Sequence, residues 1–179
     1  MTKNVGLQPA DRLLALEIRS RRIGFAVFEG PSRLLDWGIR SCSHPTRSLR
    51  KIVAKRVRPL LIRYEPVAVI MRSENQYSSQ TAARHRVSVV AITQEARRCG
   101  VEFRLLKTEM RKRFFVQRGY DTKYQVAEMI GELFKELSWK AQPQRKAWHS
   151  ESYHTIIFDA VATGLASFAE GVNPSECEN

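Results

Sequence analysis

The sequence predicts an α/β domain: a five-stranded mixed sheet with helices on both faces. Three observations predict it. Three short apolar runs near the start are separated by turns so short that the strands must pair antiparallel. The two later apolar runs are each reached through a stretch of helical periodicity. One of them, Val67 to Met71 (VAVIM), is apolar at every position, as a central strand covered on both sides requires.

Taken in order, Leu13 to Ile18 (LLALEI) is the first strand, interrupted by a single carboxylate, Glu17. Arg19 to Arg22 is a polar break, and Ile23 to Phe28 (IGFAVF) is a second strand rich in β-formers. Gly30 and Pro31 turn the chain into a third strand, Leu34 to Ser41. From Thr46 to Tyr64 the residues Leu49, Ile52, Val53, Val57, Leu60 and Leu61 recur at helical spacing, and Pro59 is expected to kink or shorten this helix. Its other face carries Arg47, Arg50, Lys51, Lys55, Arg56, Arg58 and Arg63, with no acid before Glu65.

After the central strand, Tyr77 to Cys99 reads as a long helix with Ala82, Val87, Val89, Val90 and Ile92 in its apolar stripe, closed by Gly100. Val101 to Leu106 is the fifth strand. Thr108 is placed to cap a short basic helix through Phe115, broken by Gly119. Asp121 or Thr122 caps a helix from Lys123 to Leu137, and a polar loop, Gln142 to His149, follows. The last helix, about Ser152 to Glu170, is apolar nearly all round and is expected to be buried. Residues 1–11 read as an N-terminal extension, 12–170 as one domain and 171–179 as a disordered tail.

Composition narrows the partner. Among 179 residues there are 30 Lys and Arg against 18 Asp and Glu, a net charge of +12. Such an excess favours a polyanion, because each neutralised phosphate releases condensed counterions. No basic amphipathic stretch carries an aromatic insertion face, which argues against a membrane surface as the partner. The start of the chain has no secretory pattern, and Cys42, Cys99 and Cys177 stand far apart, so a reduced, cytoplasmic setting is expected.

Three carboxylates attract attention because a metal-dependent phosphodiesterase needs several, converging from different elements. Glu17 lies inside an apolar strand, where a bare carboxylate is costly. Asp159 lies inside the most apolar helix, between Phe158 and Ala160. Glu74 follows the central strand and shares a face with Arg72 and Ile70 if the strand runs that far. Glu151 approaches the Asp159 face if the last helix begins early. His154 lies well off that face and reads as a surface or capping residue.

The order and content of these segments resemble the RuvC-type Holliday-junction resolvases of the RNase H-like superfamily, over about Arg12 to Glu170. LLALEIRSRRIGFAVFEG is similar to that family's first hairpin, with Glu17 at its catalytic Asp, Ser20 at its Ser and Gly24 at its later Gly. YEPVAVIMR resembles the strand that ends in a catalytic Glu, and QTAARHRVSVVAITQEARRCGVEFRLL resembles the long helix and the strand after it. YDTKYQVAEMIGELF resembles a basic helix that places Lys123 near the active site or DNA. HTIIFDAVATGLASF resembles the closing helix, with Asp159 at its second Asp. The resemblance implies branched DNA as partner, Mg²⁺ or Mn²⁺ as cofactor if the chain is active, and a homodimer through the 77–99 helix.

The departures are as informative. Glu17 replaces an Asp, Ile18-Arg19 replaces Pro-Gly, Arg72 stands at the catalytic Glu of the central strand, and Ile156 replaces the first Asp of the closing helix. A fixed cation ~4 Å from a metal is repelled by about 4 kcal/mol per pair of unit charges at intermediate dielectric. Arg72 is therefore expected to substitute for the metals, pairing with Glu17 and Asp159 alike.

Two readings remain open. In one, the chain is a nucleic-acid-binding module for branched or structured DNA, with little or no nuclease activity. In the other, it is an active Mg²⁺-dependent endonuclease, of the Holliday-junction type or of the YqgF type that processes ribosomal RNA, using Glu17, Asp159 and a displaced acid such as Glu74 or Glu151. Residue chemistry favours the first. Candidate contacts to nucleic acid are Arg19, Arg21, Arg22, Arg84, Arg86, Arg111, Lys112 and Lys123, with Tyr77, Phe114, Phe115 and Tyr120 as candidate stacking residues. None of the nine glycines forms the repeated phosphate-binding hairpins that an actin-like ATPase of the same superfamily requires.

Overall fold

The computed structural model describes residues 10–19, 21–42, 46–73, 79–140 and 154–172. Three strands, β1 (Arg12–Arg19), β2 (Arg22–Glu29) and β3 (Leu34–Ser41), form an antiparallel meander. Helix α1 (Thr46–Tyr64) leads to β4 (Ala68–Ser73), and α2 (Ser79–Arg98) leads to β5 (Glu102–Lys107). Both later strands run parallel to β1, giving a five-stranded sheet in the order β3-β2-β1-β4-β5. Helices α3 (Thr108–Val116) and α4 (Lys123–Leu133), a 3₁₀ turn (Lys135–Lys140) and α5 (Thr155–Val172) complete the chain. This is the mixed sheet that the sequence predicts.

Strand alternation divides the core in two. Leu14, Leu16, Phe25, Val27, Val69 and Met71 pack beneath α1 and α2. Leu13, Ala15, Ala26, Phe28, Ala68 and Ile70 pack beneath α3, α4 and α5. Helix α5 is buried on every side from Ile156 to Phe168, as its all-round apolar sequence requires. Two glycines let it approach so closely. A Cβ on Gly24 would stand 2.5 Å from the Ile156 carbonyl oxygen, and one on Gly164 would collide with the Phe28 ring.

Several local expectations need correction. Pro59 does not end α1, which continues to Tyr64 because Val57, Leu60 and Leu61 anchor both sides of the proline in the core. Thr108 does not cap α3; its hydroxyl donates to the Ser73 carbonyl at 2.5 Å, tying the end of β5 to the end of β4. Helix α4 stops at Leu133, since Phe134 turns to an extended conformation and Leu137 reaches the core from the 3₁₀ turn. Its start is as expected, with Thr122 and Gln125 forming a reciprocal capping box. Helix α5 runs to Val172, so the first two residues assigned to a tail are helical.

Of the residues suited to a dimer face on α2, Ile92 is buried and Val87 and Val89 pack against the core, leaving Val90 exposed. Among the described residues, no helix is long and apolar enough to cross a membrane.

Candidate functional site

The acids meet at the carboxyl ends of β1 and β4, beneath α5. Glu17 has the same parity as Leu13 and Ala15, so it faces α5, and Arg72 does so by the same alternation from Ala68 and Ile70. The parallel register sets Leu16 beside Met71, and the next residues along are Glu17 and Arg72. Arg72 Nη2 donates to Glu17 Oε1 at 2.6 Å. The pair is enclosed, with Glu17 3% and the Arg72 side chain 14% exposed.

Asp159 reaches the same region from α5. Gly24, opposite Glu17 on β2, lets the first turn of α5 sit against the sheet. Asp159 is 6% exposed and is held by two guanidinium groups. Arg19, two residues beyond Glu17 on the same face, donates from Nη2 to Oδ2. Arg111 of α3 donates from Nη1 to Oδ1 at 3.1 Å. Burial pushes the Asp159 pKa up, but the charges of Arg111, Arg19, Lys123 and Arg72 outweigh it and hold the carboxyl below its ordinary value. The expectation that Arg72 pairs directly with both acids is thus half met. Arg72 pairs with Glu17 and acts on Asp159 through space, because Arg19 and Arg111 reach Asp159 first.

No family model and no curated protein sequence matches the chain. Solved structures do. Thermus thermophilus RuvC in complex with a Holliday junction substrate matches with a TM-score of 0.69 at 19% identity, over 89% of this chain and 95% of that one. The yeast mitochondrial Holliday junction resolvase matches with a TM-score of 0.66 at 11% identity, over 93% of this chain and 82% of that one. Fowlpox virus resolvase, in a complex with Holliday junction DNA, gives 0.54 at 12% identity, over 90% and 99%. The fold is RuvC-like. At these identities the likeness is one of architecture.

On this RuvC-like fold the described residues do not fit a pair of divalent metals. Two carboxylates converge, each already accepting from arginine, and no group of three His, Cys, Asp or Glu capable of holding a metal exists among the described residues. Four cations, Arg19, Arg72, Arg111 and Lys123, act on two anions, an excess of two positive charges. Ile156 is buried against Gly24 and supplies no ligand. Glu74, Glu151 and Tyr77 lie outside the described residues.

The basic candidates divide by direction. Arg19 and Arg111 point inward to Asp159. Arg21, Arg86, Lys112 and Lys123 are exposed, whereas Arg22 and Arg84 are half-buried and line a small cavity with His85 and Cys42. Phe115 is buried and cannot stack on a base; Phe114 is covered by the Arg118 guanidinium at 3.8 Å, and Tyr120 leans on the core. His154 lies just before α5 and is half-buried, its backbone carbonyl accepts from the Ile157 N–H at 2.9 Å, and its ring is 6.4 Å from that of Trp139.

Sequence reasoning missed two supports. The His85 side chain hydrogen-bonds the backbone at Arg72, fixing the strand end that aims the guanidinium, and burial holds His85 below its usual pKa. Glu95 is a second buried acid, on α2, which accepts from Arg58 and Arg98 between α1 and α2. Its place in an otherwise apolar stripe was the signal that could have found it.

Proposed function

We propose that this chain binds branched or structured nucleic acid, DNA ahead of RNA, on a RuvC-like scaffold whose carboxylate site is closed by guanidinium groups, with weak or no metal-dependent cleavage. The observation that carries the reading is the pairing of each buried acid with arginine: Glu17 with Arg72, and Asp159 with Arg19 and Arg111. These bonds satisfy the carboxylates and leave the site positive, which favours phosphate and opposes a divalent cation. The net charge of +12 supports a polyanionic partner, and two of the structures sharing the fold are complexes with Holliday junctions.

The test is a four-way DNA junction, with linear duplex and structured RNA as comparisons. Binding that weakens steeply with salt, no cleavage in Mg²⁺ or Mn²⁺, and no tight Mn²⁺ binding by calorimetry are expected. Junction or RNA cleavage abolished by both Glu17→Gln and Asp159→Asn would instead establish an active metal-dependent endonuclease.

A further inference from the structure

Trp139 is the most exposed large apolar side chain among the described residues, at 72%. It is nonetheless held in place. The Lys140 ammonium lies 3.9 Å from the centre of its ring and 5.1 Å from that of Trp37. The His154 ring borders it at a 60° tilt. An indole oriented by a cation and open to water presents a ring face on which a flat, apolar group can stack.

Its place in the fold says what that group is. Trp37 stands opposite Ala26 on β3 and packs on the α5 side of the sheet, the side that carries Glu17. Ile39 faces Gly24, and Gly24 faces Glu17. Two strand spacings of ~4.8 Å and two residues of ~3.4 Å put Trp37 about 12 Å from Glu17. His154 immediately precedes α5, the helix that carries Asp159. The two indoles and Lys140 therefore lie on the α5 side of the sheet, the side that carries the acid cluster.

We propose that Trp139, oriented by Lys140 against Trp37, is a stacking platform for an unpaired base of a single-stranded or splayed nucleic acid, with Lys140 and the nearby cations meeting its phosphates. Aromatic rings accept any base face, and a duplex hides those faces, so the platform distinguishes unpaired from paired strands. The inference rests on the nucleic-acid reading above. It adds a subsite and a preference that the fold and the acid cluster do not supply.

Fluorescence anisotropy with a labelled oligo-dT and with a blunt duplex of equal length tests it. Trp139→Ala is expected to weaken oligo-dT binding by about 5- to 100-fold, the worth of one base–aromatic stack, and to change duplex binding by less than about twofold. The chain has three tryptophans, so intrinsic fluorescence is compared between wild type and Trp139→Phe. The phenylalanine variant should keep most of the affinity and lose most of the quenching that oligo-dT produces. Wild-type binding to both ligands with Trp139→Ala unchanged on oligo-dT, or equally impaired on both, overturns the platform and leaves the nucleic-acid reading standing. Undiminished quenching in Trp139→Phe overturns it even if the alanine variant fails to fold. A wild-type chain that binds the four-way junction but not oligo-dT overturns the platform alone, and one that binds neither of these nor the duplex and structured RNA overturns both readings.

Discussion

Arg72 and Glu17 lie side by side at the carboxyl ends of two parallel strands, joined by a 2.6 Å hydrogen bond. The strand register delivers the pair, with no loop needed to bring the charges together. A guanidinium donated from the neighbouring strand satisfies a carboxylate that the sheet would otherwise bury bare, and it does so where a divalent ion would need open oxygen lone pairs.

Removing Arg72 alone should therefore be worse than removing both partners. Arg72→Met is expected to destabilise the chain by about 3 kcal/mol, because Glu17 stays buried without its guanidinium. Adding Glu17→Gln should restore much of the loss. Urea unfolding of the two variants checks this, and a single variant as stable as wild type would show that the pair does not hold the site.

Asp159 makes stability sensitive to acid. Its folded-state pKa lies below the ordinary 3.8, so its contribution is fully present above that value and fades as the pH falls through the folded-state pKa. Asp159→Asn should thus be destabilised at neutral pH and show a shallower loss as the pH falls below about 4. Thermal unfolding across that range is the measurement, and parallel curves for the two proteins would contradict it.

Gly24 should not tolerate a side chain. The added methyl of Gly24→Ala would press on the Ile156 carbonyl at 2.5 Å, so α5 must shift or the strand must bend. A loss of about 1–3 kcal/mol is expected, as for other overpacked sites. Because Asp159 rides on the same helix, the variant should also lose protection of the α5 amides in hydrogen exchange. Unchanged exchange there would count against this seating of the helix.

The direction of the arginines predicts two kinds of variant. Alanine at Arg21, Arg86 and Lys112, all exposed, should weaken nucleic-acid binding without lowering the melting temperature. The slope of log affinity against log salt should become shallower by about 0.9 for each phosphate that is no longer neutralised. Alanine at Arg19 or Arg111 should lower the melting temperature, since each leaves Asp159 with one partner fewer. Identical behaviour of the two sets would remove the distinction between inward and outward cations.

The fold was legible in the sequence because hydrophobic pattern and turn chemistry agreed at each strand. IGFAVF and VAVIM are short, rich in strand formers and bounded by turn or proline signals, and the apolar circumference of α5 calls for a buried position. Glu17 and Asp159 were legible as polar residues in apolar company. Their partners were less so. Arg72 declared itself by standing at a position where the resemblance expected an acid. That Arg19 and Arg111 bind Asp159 depends on where β1 ends and how α3 docks, which no local pattern encodes. Trp139 went unremarked because a lone tryptophan beside a polar segment carries no periodicity, and its exposure is a property of the assembled fold.

The two halves of the core are completed at different points along the chain. Among the described residues, every buried residue under α1 and α2 lies between Leu14 and Ala96, whereas the opposite half needs Ile156 to Phe168. During synthesis the first half has all its parts long before α5 leaves the ribosome, and Glu17 and Arg72 are already neighbours by then. Asp159 arrives after its partners, so Arg19 and Arg111 meet their shared carboxylate only once α5 has been made. Chains truncated after residue 140 and released from the ribosome should accordingly protect α1 and α2 from protease while leaving α3 and α4 open to cutting, and uniform protection would refute this order of assembly.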